Sequence, residues 1–278
     1  MNYSLIPPPR QLQHLVKCFW TIETVPGEFK PDKYYLMADA CPEILFQYKG
    51  GFKLYAKEKA HVRVQHTVSK NLALENEFGF FGVRLFPHAI QQLLGMPATE
   101  ATELILEFNY LFKQAGRDLT DKLLESTGAV DRAGLFSEFL LRLAANKRPD
   151  PIYSLANELD LYEGQIDLTH LRLQSGLSLK QFERRFKATT GFTPKQFARV
   201  ARFQSTKRRY VSKKYQSLTK LTYDCNYHDQ SHFIREFKEF SGVQASHYFS
   251  YLDKGDAESK VIRELILAKE RPVFLHPR

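Results

Sequence analysis

The run Ser178-Leu-Lys-Gln-Phe-Glu-Arg-Arg-Phe-Lys187 decides how this chain is read. On a helical period Leu179, Phe182 and Phe186 share one face, while Lys180, Glu183, Arg184 and Lys187 share the other. Ser178 followed three residues later by Gln181 is a capping-box signature, so the helix is expected to start at the serine. Just before it, Gln174-Ser-Gly-Leu177 supplies a short turn with a glycine. A basic helix behind such a turn is what a helix-turn-helix needs to bring side chains to the major groove.

About fifty residues on, the pattern returns. Leu218-Thr-Lys-Leu-Thr-Tyr-Asp-Cys225 reads as a helix and Asn226-Tyr-His228 as a turn, with Asn suited to a left-handed backbone. A second helix is expected over 229–240, capped by Asp229. There Phe233, Phe237 and Phe240 recur at i, i+4 and i+7, and Gln230, Ser231, Arg235 and Lys238 point elsewhere. Thr193-Pro-Lys-Gln196 between the units is another helix start, with Pro in the first turn and a Thr/Gln box. That connecting helix is expected to run to about Lys213, roughly 30 Å at ~1.5 Å per residue. Its length approaches the ~34 Å of one duplex turn, so one chain can offer two reading helices to successive major grooves.

These two units resemble the AraC/XylS family of transcription regulators over roughly residues 166–250. The resemblance is carried by Gly176-Leu-Ser178, Phe182-x-Arg-Arg-Phe186, Thr190-Gly-Phe-Thr-Pro194, Tyr227-x-Asp-Gln-Ser-His-Phe-x-Arg-x-Phe237 and Ser241-Gly-Val243. Arg172 and Thr222 stand where the family usually has a small Ala at a close helix contact, Asn226 where it has Gly, and Ala245 where it has Pro. The resemblance implies base contacts from Lys180, Glu183 and Arg184 on the first reading helix and from Gln230, Ser231 and Arg235 on the second. Arg184 has the planar fork that matches guanine, and Gln230 suits adenine. Lys187, Lys195, Arg199, Lys213, Lys214 and Lys238 are expected at phosphates, which position a protein without specifying sequence. Lys207-Arg-Arg209 reads as a solvated face of the connecting helix.

Charge agrees with this division. The chain carries a net +9, yet residues 166–250 hold 16 Lys+Arg against 6 Asp+Glu, so the remainder nets −1. All the excess positive charge lies in the segment expected to meet phosphate. Three cysteines without CxxC spacing argue against a disulfide framework or structural zinc, and fit a reducing cytosol. The first residues lack a basic and then apolar signal, and no apolar run nears the ~20 residues of a membrane helix. A cytoplasmic protein without cofactor is expected.

The first half reads as β-rich, with a helical segment after it. Strands are expected at 15–22, 44–48, 61–65 and 77–86, and Gly50-Gly51 looks like a hairpin turn with 52–55 as the returning strand. Helices are expected at 88–94, 100–108, 119–126 and 133–145. Cys41-Pro-Glu-Ile-Leu-Phe46, Phe81-Gly-Val-Arg-Leu-Phe-Pro-His-Ala89 and Leu94-Gly-Met-Pro97 resemble an N-terminal domain found ahead of AraC-type modules.

The fold class is therefore α+β. Residues 1–145 form a regulatory, ligand-binding or dimerisation domain, 146–165 a linker, 166–250 the tandem helix-turn-helix domain and 251–278 an extension. Residues 152–161 and 261–269 add short helices. The aromatics Phe19, Trp20, Tyr34, Tyr35, Phe46, Tyr48, Phe80 and Phe81 suit either a core or a pocket. Expected partners are double-stranded DNA, the transcription machinery and, through residues 1–145, a small-molecule effector or a second copy of the chain.

An enzyme or metal sensor is the competing class. Asp39, Glu43, His61, His66 and His88 can be gathered on paper into a metal site, but at no spacing that a known ligand set uses. Cys41-Pro42 invites a nucleophile, as in DNA-repair proteins that carry an AraC-type module, with no His/Asn partner readable beside it. The sequence reading is of a DNA-binding regulator and not an enzyme.

Overall fold

The computed structural model describes residues 2–27, 33–55, 59–67, 69–145 and 150–255, together with Ser259, Arg263 and Ile266. An antiparallel sheet comes first: β1 (Asn2–Ile6), β2 (Val16–Glu23), β3 (Lys33–Leu36), β4 (Glu43–Phe52), β5 (Ala60–Arg63), β6 (Lys70–Leu85) and β7 (Ile105–Glu107). The order is β1-β2-β6-β4-β5-β7, with β3 on the early part of β6. The 16-residue β6 is the spine. Its later half lies between β2 and β4, so that Phe81 is opposite Thr21 on one side and Phe46 on the other.

Alternation along these strands sorts side chains to two faces. Phe19, Ile44, Phe46, Val62, Phe81 and Val83 form one buried layer. It is covered by α1 (Ala89–Leu94), α2 (Phe108–Glu125) and α3 (Ala129–Ala144), chiefly through Ile90, Leu119, Phe136 and Leu140. Cys18, Trp20, Ile22, Leu45, Phe78 and Phe80 form the layer on the other face.

The helical half follows as α4 (Pro151–Leu161), α5 (Leu168–Ser175), α6 (Leu179–Thr190), α7 (Pro194–Val211), α8 (Leu218–Asp224), α9 (Gln230–Ser241) and α10 (Ala245–Asp253). One apolar core joins them, with Phe182, Phe186, Phe197, Phe203, Phe237 and Phe240 at its centre. The expected architecture, a β-rich domain and then an all-α domain of two helix pairs joined by a long helix, is what the chain adopts.

Several local expectations give way. Gly50-Gly51 is no hairpin turn: β4 runs through both glycines to Phe52, with one bulge between Gln47 and Lys49 and another between Gly50 and Phe52, and residues 53–55 form a 3-10 turn. A Cβ on Gly50 would lie 2.0 Å from the Glu77 carbonyl oxygen of β6. The glycine answers a close backbone approach between strands rather than a chain reversal. The helix expected over 100–108 is a 3-10 turn at Ala98–Glu100 followed by β7, which β5 recruits through Val62 and Leu106.

Residues 150–161 of the expected linker are also more than a tether. Ile152, Leu155, Ala156 and Leu159 of α4 lie in the helix-turn-helix core. Of the expected helix over 261–269 only Arg263 and Ile266 are described, both helical; the rest of it, the 146–149 part of the linker and the side chains of Tyr34 and Tyr35 lie outside the described residues.

Candidate nucleic-acid interface

The first unit is built by caps. Asp167 accepts from the Thr169 amide to start α5, which ends at Gly176. Ser178 then opens α6 with a complete capping box: its hydroxyl accepts from the Gln181 amide at 3.4 Å, and Gln181 Oε1 accepts from the Ser178 amide at 3.1 Å. Phe182 and Phe186 are buried as expected. Leu179 is not on that apolar face in practice, being 60 % exposed. Residues 178–181 are exposed on every side, so the first turn of α6 stands clear of the bundle and Leu179 has nothing to pack on. Lys180, Glu183, Arg184 and Lys187 are exposed with it.

The second unit repeats the plan. Asn226 takes the left-handed turn conformation at φ 58°, and Asp229 caps α9 by accepting from the His232 amide at 2.7 Å. Phe233, Phe237 and Phe240 are buried. Gln230, Ser231, Arg235 and Lys238 are exposed. Arg184 and Arg235 thus hold the same place, two residues after the first core phenylalanine of their helices. Thr219 of α8 accepts from Gln230 Nε2 at 2.7 Å and orients that side chain. Ile234 is 49 % exposed on the same outward face. Neither Thr219 nor Ile234 was singled out from sequence. Ile234 follows Gln230 by four residues, so the helical period that picked out Gln230 also reaches it.

The connecting helix α7 starts at the Thr193/Gln196 capping box, with Pro194 at its first position. It is 18 residues long, about 27 Å. Its charged side chains are largely engaged inside the protein. Arg199 donates to Glu236 at 2.7 Å and to Glu239 at 2.6 Å, and so braces α9. The expected solvated face at 207–209 is corrected: Arg208 and Arg209 both pair with Glu163, and Lys207 is buried over the Phe203 ring. Lys195, Lys213 and Lys214 are exposed.

The departures from the family pattern are absorbed locally. Thr222 is buried and returns its hydroxyl to the Leu218 carbonyl, and Ala245 is buried at the start of α10. Arg172 is half-buried on α5.

The sheet domain bears on this interface from behind. One stripe of α4 faces it: Tyr153 stacks on His88 with ring centroids 4.3 Å apart, and Asp160 pairs with Lys17. Beneath lies a buried polar set. Trp20 Nε1 donates to Glu43 at 2.7 Å, Arg63 pairs with the same carboxylate, and Arg84 reaches both oxygens of Asp39. Burial alone would raise the Asp39 carboxyl, but the Arg84 guanidinium, Arg63 and the Cys41 amide together outweigh it and hold the group well below the usual carboxylate range. Asp39 and Glu43 are therefore committed to arginines. Among the described residues no group of three or more His, Cys, Asp or Glu is placed to hold a metal ion. Burial pushes the Cys41 thiol up to about 12, the opposite of what a nucleophile needs.

Two basic, outward-facing helices of matched design on one long connecting helix define a tandem helix-turn-helix protein. Residues 174–251 match the family described as "Helix-turn-helix domain", and residues 4–107 match "Domain of unknown function (DUF6597)". Residues 174–251 are therefore a helix-turn-helix domain of the AraC type. No curated protein matches the sequence.

Among solved structures the chain is similar to ToxT from Vibrio cholerae. In one crystal form, at 1.65 Å, the identity is 10 %, 84 % of this chain and 98 % of that one are covered, and the TM-score is 0.47. An apo variant of ToxT from strain SCE256 gives 12 %, 84 %, 97 % and 0.44 in the same order. ToxT with a bound unsaturated fatty acid gives 10 %, 78 %, 93 % and 0.41. Among the described residues no helix is long and apolar enough to cross a membrane.

Proposed function

We propose that this chain is a transcription regulator that reads duplex DNA in a sequence-specific way, with α6 and α9 in successive major grooves on one side of the helix. The observation that carries the reading is the matched pair of outward faces. Lys180, Glu183 and Arg184 on α6 and Gln230, Ser231 and Arg235 on α9 stand exposed at either side of an α7 about 27 Å long. Arg184 and Arg235 would take guanine O6 and N7 through their planar forks. Lys187, Lys195, Lys213, Lys214 and Lys238 would take phosphates, while Arg199 stays with its carboxylates. Control by a small molecule or by pairing of two chains would enter through the sheet domain, which touches α4 through Tyr153 and Asp160 and also touches α6. Such a protein works in the cytoplasm, beside the transcription machinery.

The test is selection of duplexes by the full-length protein from a random pool at two salt concentrations. The expected result is a motif of two elements about one helical turn apart. Retention that is salt-sensitive but without a motif would mean that the basic face only coats phosphate.

A further inference from the structure

The loop at 38–40, which follows β3 in the sheet domain, is built into the second helix-turn-helix unit. The Ala38 amide donates to the Phe240 carbonyl at 3.0 Å, and the Gln204 side chain of α7 donates to the Ala38 carbonyl. Ala38 and Ala40 are buried in the same apolar core as Phe203, Phe237 and Phe240. The last carbonyls of a helix have no partner inside it. For α9 one of them is satisfied by a residue two hundred positions earlier in the chain.

The loop in turn is rigidly held. Asp39 accepts both prongs of Arg84, at 2.8 and 3.2 Å, and the Cys41 amide at 2.9 Å. Its backbone exchanges two hydrogen bonds with His66, at 2.8 and 3.0 Å. Next to it, a Cβ on Gly242 would lie 2.2 Å from Ser69 Oγ, so the glycine that ends α9 lies close against the sheet domain.

Glu236 and Glu239 already tie α9 to α7 through Arg199 and Arg202. The loop adds a tie of a different kind, from the sheet domain to the last turn of the helix. We propose that Asp39 is a positioning residue for the second reading helix: pinned by Arg84, it holds the Ala38 amide on the end of α9 and so sets the spacing and phase of α9 relative to α6 on the duplex. This rests on the tandem reading given above.

Two full-length variants test it. Asp39→Asn weakens the hold of Arg84, and Gln204→Ala frees the loop from α7 without touching the buried ion pair, so a folded variant is at hand if the first fails to fold. Without DNA, amides of residues 238–243 should exchange about three- to tenfold faster in Gln204→Ala, the loss of about one hydrogen bond, while those of 182–190 keep their wild-type rates. Unchanged exchange over 238–243 overturns the proposal whatever the DNA result.

With DNA, the selected site is lengthened between its elements by one, two and three base pairs. Wild type should lose affinity steeply with each insertion, and the variants should lose it less while binding the first element alone as wild type does. Equal loss at every spacing and on the first element would mean a purely structural role and would overturn the proposal. A wild type indifferent to spacing would instead defeat the tandem reading, and hydrogen exchange would still judge the loop.

Discussion

Arg202 of α7 meets Glu236 of α9 in a forked ion pair, with Nε and one terminal nitrogen on the same carboxylate oxygen at 3.1 and 3.0 Å. Arg199 adds 2.7 Å to the other oxygen, and the Glu236 side chain is 1 % exposed. Removing Glu236 leaves the largely buried Arg202 without its carboxylate, while Arg199 keeps Glu239. Glu236→Ala should therefore cost about 3–5 kcal/mol in urea unfolding. The exposed Lys220–Asp224 pair, one turn apart on α8, is the internal contrast. Asp224→Ala should cost no more than about 0.5 kcal/mol. Similar losses for the two would mean that Glu236 is not the brace its burial implies.

Arg184→Ala and Arg235→Ala should each weaken a cognate duplex by about 1–3 kcal/mol and relax selectivity at one base step of the corresponding element. The changes should fall in different elements, because the two arginines sit on different helices. Titration against duplexes mutated in one element at a time reads this directly. Equal losses on cognate and scrambled DNA would remove both residues from the base-reading set.

Lys213 is exposed at the end of α7, clear of the ion pairs that engage Arg199 and Arg209. A phosphate contact carries no sequence information, so Lys213→Ala should weaken cognate and scrambled duplexes alike. The dependence of log K on log salt should become shallower by about one unit. Arg199→Ala should behave differently, lowering stability more than it changes the salt slope. The same slope change for both would return Arg199 to the phosphate set.

What was legible in the sequence was what is local. Caps such as Ser178 with Gln181 and Thr193 with Gln196 are closed within four residues, and the structure forms them as read. Asn226 in the turn and Asp229 before α9 are of the same kind. The misread elements depend on distant chain. Gly50-Gly51 has the composition of a hairpin, and only the nearness of Glu77 on β6 reveals a bulge. Leu104-Ile-Leu106 suits helix or strand equally, and β5 decides it. β1 and β3, at five and four residues, are too short to show a period. For the charged residues of α7, the partners of Arg199 and Arg208 lie 37 and 45 positions away, so pairing could not be told from solvation. The exposed faces of α6 and α9 escaped this difficulty because an outward face is defined by what the helix itself buries.

His61, His66 and His88 are buried in the sheet domain, and burial pushes each imidazole down to about 4 from an ordinary value near 6.5. For His66 the nearby Arg63 adds to the effect, and for His88 a bond to the His14 carbonyl opposes it. Between those two values the unfolded chain takes up protons that the folded chain refuses. Stability is therefore complete above about pH 6.5 and falls as the pH drops towards 4, by about 1.4 kcal/mol per group for each pH unit crossed. Urea midpoints at pH 7.5, 6 and 5 should decline in that order. His88→Phe keeps the aromatic contact with Tyr153 and removes one titrating ring, so its decline should be shallower by about one proton. Midpoints that stay level from pH 7.5 to 5 would mean that these rings do not sit buried and neutral in the sheet domain.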